Sequence, residues 1–187
     1  MTTNPTTRIT RRRMAALAAT LGLSLAMAGA GVAAARGQAN AATVRQATEK
    51  YHDLNAALAD GYVPFYRCTE QPGVGTMGQH YVNPDLVGDP AIDPTRPEVL
   101  VYEPKRGGGY KLVAMEYVTL ASLWDAANPG VWPTVLGQDL LFKPEGNRYG
   151  LPDFYERHAW LWHGNPDGLF SDWNPTITCL GTGDNGG

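Results

Sequence analysis

Serine, cysteine and histidine are scarce in this chain, and basic charge is scarce beyond its N-terminus. Of 187 residues two are Cys and four are His, and after Ala41 the serines are reduced to Ser122 and Ser171. Neither lies in a Gly-x-Ser-x-Gly turn, which excludes a hydrolase built on that strained nucleophile elbow. A phosphate-cradling Gly-x-x-x-x-Gly-Lys, a dinucleotide fingerprint and His-Glu-x-x-His are all missing. The first 41 residues hold five Arg and no acid, which leaves 10 basic against 18 acidic residues from Ala42 onward, a net charge of −8 with His neutral. A surface that tracks phosphates needs clustered Lys and Arg, so a nucleic-acid partner is not expected. The 146 residues after Ala41 suffice for one core and hardly for two, so a single domain is expected over 42–179.

The arginine-only stretch reads as an address. A basic region ends at Arg11-Arg12-Arg13, an Ala/Leu/Gly run follows from Met14 to Ala35, and Ala39-Asn40-Ala41 closes it. This is the order of a secretory signal peptide, residues 1–41, with cleavage after Ala41 or, by a second Ala-x-Ala pattern, after Ala35. A retained anchor is the rival reading, although the run is only weakly hydrophobic. Paired Arg before such a run also fits a twin-arginine signal, with an ordinary export signal as the alternative. A secreted, extracytoplasmic domain with no membrane association after signal removal is therefore expected. Export fits the cysteines: in an oxidising compartment Cys68 and Cys179 read as one disulfide, two free thiols being the competing view. The segment 180–187 is Gly-rich and reads as a flexible tail.

From Thr43 to Ala59, Val44, Ala47, Tyr51, Leu54 and Leu58 recur at spacings of three and four, predicting one amphipathic helix that stops at Asp60-Gly61. Beyond it Pro, Gly, β-branched and aromatic residues predict short strands at Tyr62–Tyr66, Met77–Val82, Glu98–Glu103, Tyr110–Leu120, Leu140–Lys143 and Tyr155–Trp162. Pro104–Gly109 suits a hairpin loop between the third and fourth. The fold class expected is α+β: an N-terminal helix followed by a small antiparallel β-barrel or sandwich.

Strand alternation places Glu116 in the row Tyr110, Leu112, Ala114, Glu116, Val118, Leu120, as its only acidic member. His80 shares parity with Val82, and His158 with Phe154, Trp160 and Trp162. Two imidazoles and one carboxylate match a ligand set used for divalent metals, so His80, Glu116 and His158 are candidate ligands for one ion of zinc, iron or manganese. An inward Glu116 must find a cation, a donor or a metal, because an unpaired buried carboxylate costs several kcal/mol. Pairing with Arg157, Arg67 or Lys111 is the alternative. Tyr81 and Tyr117, beside two of these ligands, and Trp160 and Trp162, beside the third, are candidates for lining a pocket for an apolar, aromatic or carbohydrate ligand. Aromatic core packing competes with that reading. Residue types alone leave open a metal-dependent enzyme, a non-enzymatic module binding a small molecule, and a purely structural domain.

The series Met77-Gly78-Gln79-His80-Tyr81-Val82-Asn83, Leu112-Val113-Ala114-Met115-Glu116-Tyr117, His158-Ala159-Trp160-Leu161-Trp162 and Asn165-Pro166-Asp167-Gly168-Leu169-Phe170-Ser171-Asp172-Trp173-Asn174-Pro175, flanked by Cys68 and Cys179, resembles a family of small exported bacterial proteins of unassigned function. The resemblance spans most of Thr43–Cys179. It implies that His80, Glu116 and His158 form one constellation and implies no activity. A fainter similarity is to cupin barrels, whose second motif also places Gly before His and Asn after it. Here one residue rather than two separates Gly78 from His80, Asn83 is displaced, and the paired His-x-His of the first cupin motif is missing, so the likeness is an analogy only.

Overall fold

The hairpin expected around the Gly-rich tip forms the middle of the molecule. The computed structural model describes Met1 and residues 41–180. The expected signal segment and its cleavage positions, apart from Ala41, lie outside the described residues, as does the tail beyond Leu180. Residues 41–180 belong to one compact unit.

Strands β1 (Val63–Gln71), β2 (Gly75–Val82), β3 (Val99–Pro104), β4 (Tyr110–Leu120), β7 (Leu141–Lys143) and β8 (Phe154–Ala159) make one antiparallel sheet in the order β1-β2-β3-β4-β8-β7. The two-residue strands β5 (Thr134–Val135) and β6 (Gln138–Asp139) pair separately. The large sheet curls into a half-barrel, so the α+β expectation holds. It is not a closed barrel, because β1 and β7 remain its two edges.

The single N-terminal helix expected over 43–59 is divided. Residues 41–48 (α1) are helical, Glu49–His52 tighten into a 3₁₀ turn, and Leu54–Ala59 (α2) starts afresh. The division falls at Asp53, whose side chain accepts the Asn55 N–H at 2.9 Å and caps α2. A short acidic side chain competes with the backbone in this way and favours a cap over a helix interior. The restart rotates the register, so Leu58 points outward at 46% exposure while Ala57 is buried. Two more short helices interrupt the strands: α3 (Pro84–Val87), capped by Asn83, and α4 (Ala121–Ala127), which buries Trp124.

The sheet separates two apolar layers. On one face Leu100, Tyr102, Leu112, Met115, Tyr117 and Tyr155 pack with Val44, Ala57 and Trp124 of the helices. On the other, Val99, Val101, Ala114, Val118 and Phe154 pack with Trp160 and Ile177. The uniform row expected along β4 is broken between these layers. Val101 pairs with Ala114 but Tyr102 pairs with Leu112, so Val113 is an extra residue. Such a bulge reverses the alternation. Leu112 consequently faces the helices, while Ala114, Glu116 and Val118 face the opposite layer. Gly78 on β2 lies against this bulge with φ +97°, and a Cβ there would stand 2.8 Å from Val101 Cγ1 and 2.9 Å from the Tyr102 carbonyl oxygen. Only glycine meets both demands.

Cys68 on β1 and Cys179 form a disulfide across 111 residues of sequence, tying the C-terminal segment to the sheet edge. No helix among the described residues is long and apolar enough to cross a membrane. Both observations are compatible with a secreted protein.

Candidate metal centre

Three strands deliver the expected constellation to one point. Glu116 on β4 and His158 on β8 are register partners, and His80 on β2 reaches across β3, where its own partner is Val101. Directly opposed residues have Cβ atoms about 4.5–5.5 Å apart, so pairing alone brings Glu116 and His158 together. Val99 and Val101 are the β3 residues on this face, and their short side chains leave the third ligand room to pass. His80 Nε2 lies 3.4 Å from His158 Nε2 and 3.4 Å from Glu116 Oε2, and His158 Nδ1 lies 3.9 Å from Glu116 Oε1. All three side chains are buried.

The two separations from His80 Nε2 suit an ion, and one ligand atom from each of the three residues lies within 4.8 Å of the others. Ligands held about 2.0–2.1 Å from a tetrahedral metal stand about 3.3–3.4 Å from one another. The buried cluster of His80, Glu116 and His158 is able to hold one. Its protonation fits as well. Burial, and secondarily the neighbouring His158, lowers the His80 pKa to about 3. Burial also lowers that of His158, against the opposing pull of Glu156 and Asp172. Both imidazoles are therefore neutral, the form that ligates. Burial raises the Glu116 carboxyl well above its usual range, and the adjacent Glu156, through its charge and a shared hydrogen bond, raises it further. Without an ion Glu116 keeps its proton, and its contact with His80 is not an ion pair.

Glu156 was not anticipated, although it shares strand parity with His158 and Phe154. Burial works against its ionisation, but the hydrogen bond with Glu116 and the charge and hydrogen bond of the Lys143 ammonium outweigh burial and hold it ionised. Lys143 Nζ lies 2.8 Å from Glu156 Oε1 and 3.0 Å from Asp172 Oδ2. Among the described residues four buried side-chain atoms lack a hydrogen-bond partner, and three of them belong here: Glu156 Oε2, His158 Nδ1 and Asp172 Oδ1. Glu156, His158 and Asp172 also meet closely enough to form a second ligand group, but the lysine already supplies its cation. Asp172 lies in an irregular segment where no periodicity marks it. The alternative cationic partners of Glu116 meet other groups: Arg157 donates to the Asp139 carbonyl, Lys111 lies 3.8 Å from Glu103, and Arg67 lies over the Tyr66 ring, 5.7 Å from its centroid.

The expected pocket aromatics divide between the two faces. Trp160 lies nearly parallel to His158, with ring centroids 6.0 Å apart. Tyr81, Tyr117 and Trp162 belong to the helix-covered layer instead. Tyr81 and Tyr117 follow their neighbours His80 and Glu116 in sequence, so alternation turns them away. Trp162 departs because β8 ends at Ala159, and its indole N–H donates to Thr48 Oγ1 of α1 at 3.2 Å. Other aromatics line the space beside the ligands: a cavity of about 80 Å³ is bounded by Phe65, Tyr149 and Phe154, by Val82, Val87, Val99, Val118 and Leu151, and by His80, Glu116 and Glu156.

Comparison with protein-family models, curated proteins and solved structures finds no match. The site's own geometry therefore carries the functional reading.

Proposed function

We propose that this is an exported protein that binds one divalent transition metal through His80, Glu116 and His158. The observation that carries the reading is that His80, Glu116 and His158 each offer a buried ligand atom, all within 4.8 Å of one another, two of them on neutral imidazoles. Charge favours a single ion. With Glu116 deprotonated by the metal, the carboxylates of Glu116, Glu156 and Asp172 face only the Lys143 ammonium, and one divalent cation balances what is left. A second would bury uncompensated positive charge. Zinc, iron and manganese all take such a ligand set. Three protein ligands leave a coordination position open, and an ion there would polarise whatever binds it.

The test is the metal content of the purified protein after equilibration with each candidate ion and removal of excess. One equivalent is expected for the wild type and much less than one for His80→Ala and His158→Ala. Equal content in all three would contradict the reading. Export is tested separately: protein recovered outside the cytoplasm should begin at Ala42 or Arg36, and an intact N-terminus there would contradict removal of the signal.

A further inference from the structure

The cavity over the ligand cluster has a half-exposed rim and a buried floor. Phe65, Val82, Val87, Tyr149 and Leu151 at its mouth are half-buried, whereas Val99, Val118 and Phe154 below them are buried. The Tyr149 hydroxyl does not serve the cavity, because it donates to Met77 Sδ at 3.3 Å. The other polar side chains on the wall are His80, Glu116 and Glu156. The first two are committed to the ion, and Glu156 is bound to Lys143. A sugar or a charged ligand would have to strip its polar groups of water here and find no replacement partners, a cost that grows with every hydroxyl buried.

Size narrows the choice further. The cavity measures about 80 Å³. An engineered apolar cavity of about 150 Å³ stays dry and accepts benzene. A volume little more than half of that admits a molecule of only a few heavy atoms.

From these walls and this volume we infer that the cavity binds a small, neutral, apolar molecule in the size class of dioxygen, seated on the Val99–Val118–Phe154 floor against the open side of the metal. This inference rests on the metal reading, which removes His80 and Glu116 from the cavity's polar partners and sets an ion at its side, and on the apolar remainder of the wall.

Xenon is the probe. Crystals of metal-equilibrated protein, from a batch whose metal content has been measured, are pressurised with xenon, and the anomalous signal is located. One xenon per chain beside Val99, Val118 and Phe154 is expected, with no comparable uptake of benzene. Leu151→Trp and Val87→Phe, both at the rim and away from the ligands, should abolish xenon binding while leaving metal content at the wild-type value. If one of these variants fails to fold, the other decides. Ordered waters filling the cavity in place of xenon, or benzene binding as readily as xenon, would overturn the inference while leaving the metal reading untouched. Xenon in the cavity of a protein that takes up no metal would instead contradict the metal reading, and with it the pairing of ligand and ion.

Discussion

Glu98 shows burial acting on a single carboxyl away from the metal cluster. Burial raises its pKa to about 8, partly opposed by hydrogen bonds that include the Val118 N–H at 3.1 Å. The folded state then holds a proton that the unfolded state releases near its ordinary value of 4.5. Between these two values the native protein binds more protons, so stability falls as pH rises from about 4.5 to about 8 and levels off above that. Glu98→Gln keeps an acceptor for Val118 and removes the titration. Denaturant unfolding at pH 5 and pH 8 should therefore show a smaller loss in the variant than in the wild type, and parallel losses would refute this assignment. Lys143 poses the opposite case. Removing its ammonium in Lys143→Met leaves Glu156 and Asp172 without a cation and should destabilise the metal-free protein by about 1–3 kcal/mol, less than for a fully buried pair because the lysine is 30% exposed. Adding Glu156→Gln should recover much of that loss. If both single variants are as stable as the wild type, the lysine is not engaged as described.

At the scale of elements, alternation in β2, β4 and β8 allowed His80, Glu116 and His158 each to point inward, because a period of two depends only on local strand structure, but it is the sheet register that brings them together. Alternation was not enough to say which aromatics share that face. Tyr81 and Tyr117 follow from parity once the facing side is known, but Trp162 depends on where β8 stops, and no periodicity in the segment marks Ala159 as that end. The Val113 bulge was equally hidden, since it arises from pairing with β3 and not from any feature of β4 alone. The helix break at Asp53 did carry a local signal, an Asp at a capping position, which the apolar spacing of Val44, Tyr51 and Leu54 overrode. Gly78, two residues before His80, lets β2 approach Val101 and the Tyr102 carbonyl of β3 more closely than a Cβ would allow. Gly78→Ala combines left-handed backbone strain with contacts of 2.8 and 2.9 Å to β3. It should cost about 2–4 kcal/mol by chemical denaturation, and a loss below about 0.5 kcal/mol would show that β3 yields without effort.

For the whole molecule, the open half-barrel leaves its C-terminal segment to cover the ligand face, and the disulfide holds that cover in place. Ile177 and Trp160 pack on this layer, and Cys179 anchors the segment to β1. Closing a loop of 111 residues contributes about 4–5 kcal/mol in the chain-entropy model. Cys68→Ser with Cys179→Ser should lower stability by up to that amount and leave the ligand strands able to bind metal at higher concentration. An unchanged midpoint of unfolding would show that the bridge is incidental. If three strands and one cover build a metal centre, an anomalous difference map from crystals grown with zinc measures it most directly. A single strong peak about 2.0–2.2 Å from His80 Nε2, His158 Nε2 and a Glu116 oxygen is the predicted result. A well-folded protein with no peak between these residues would contradict it.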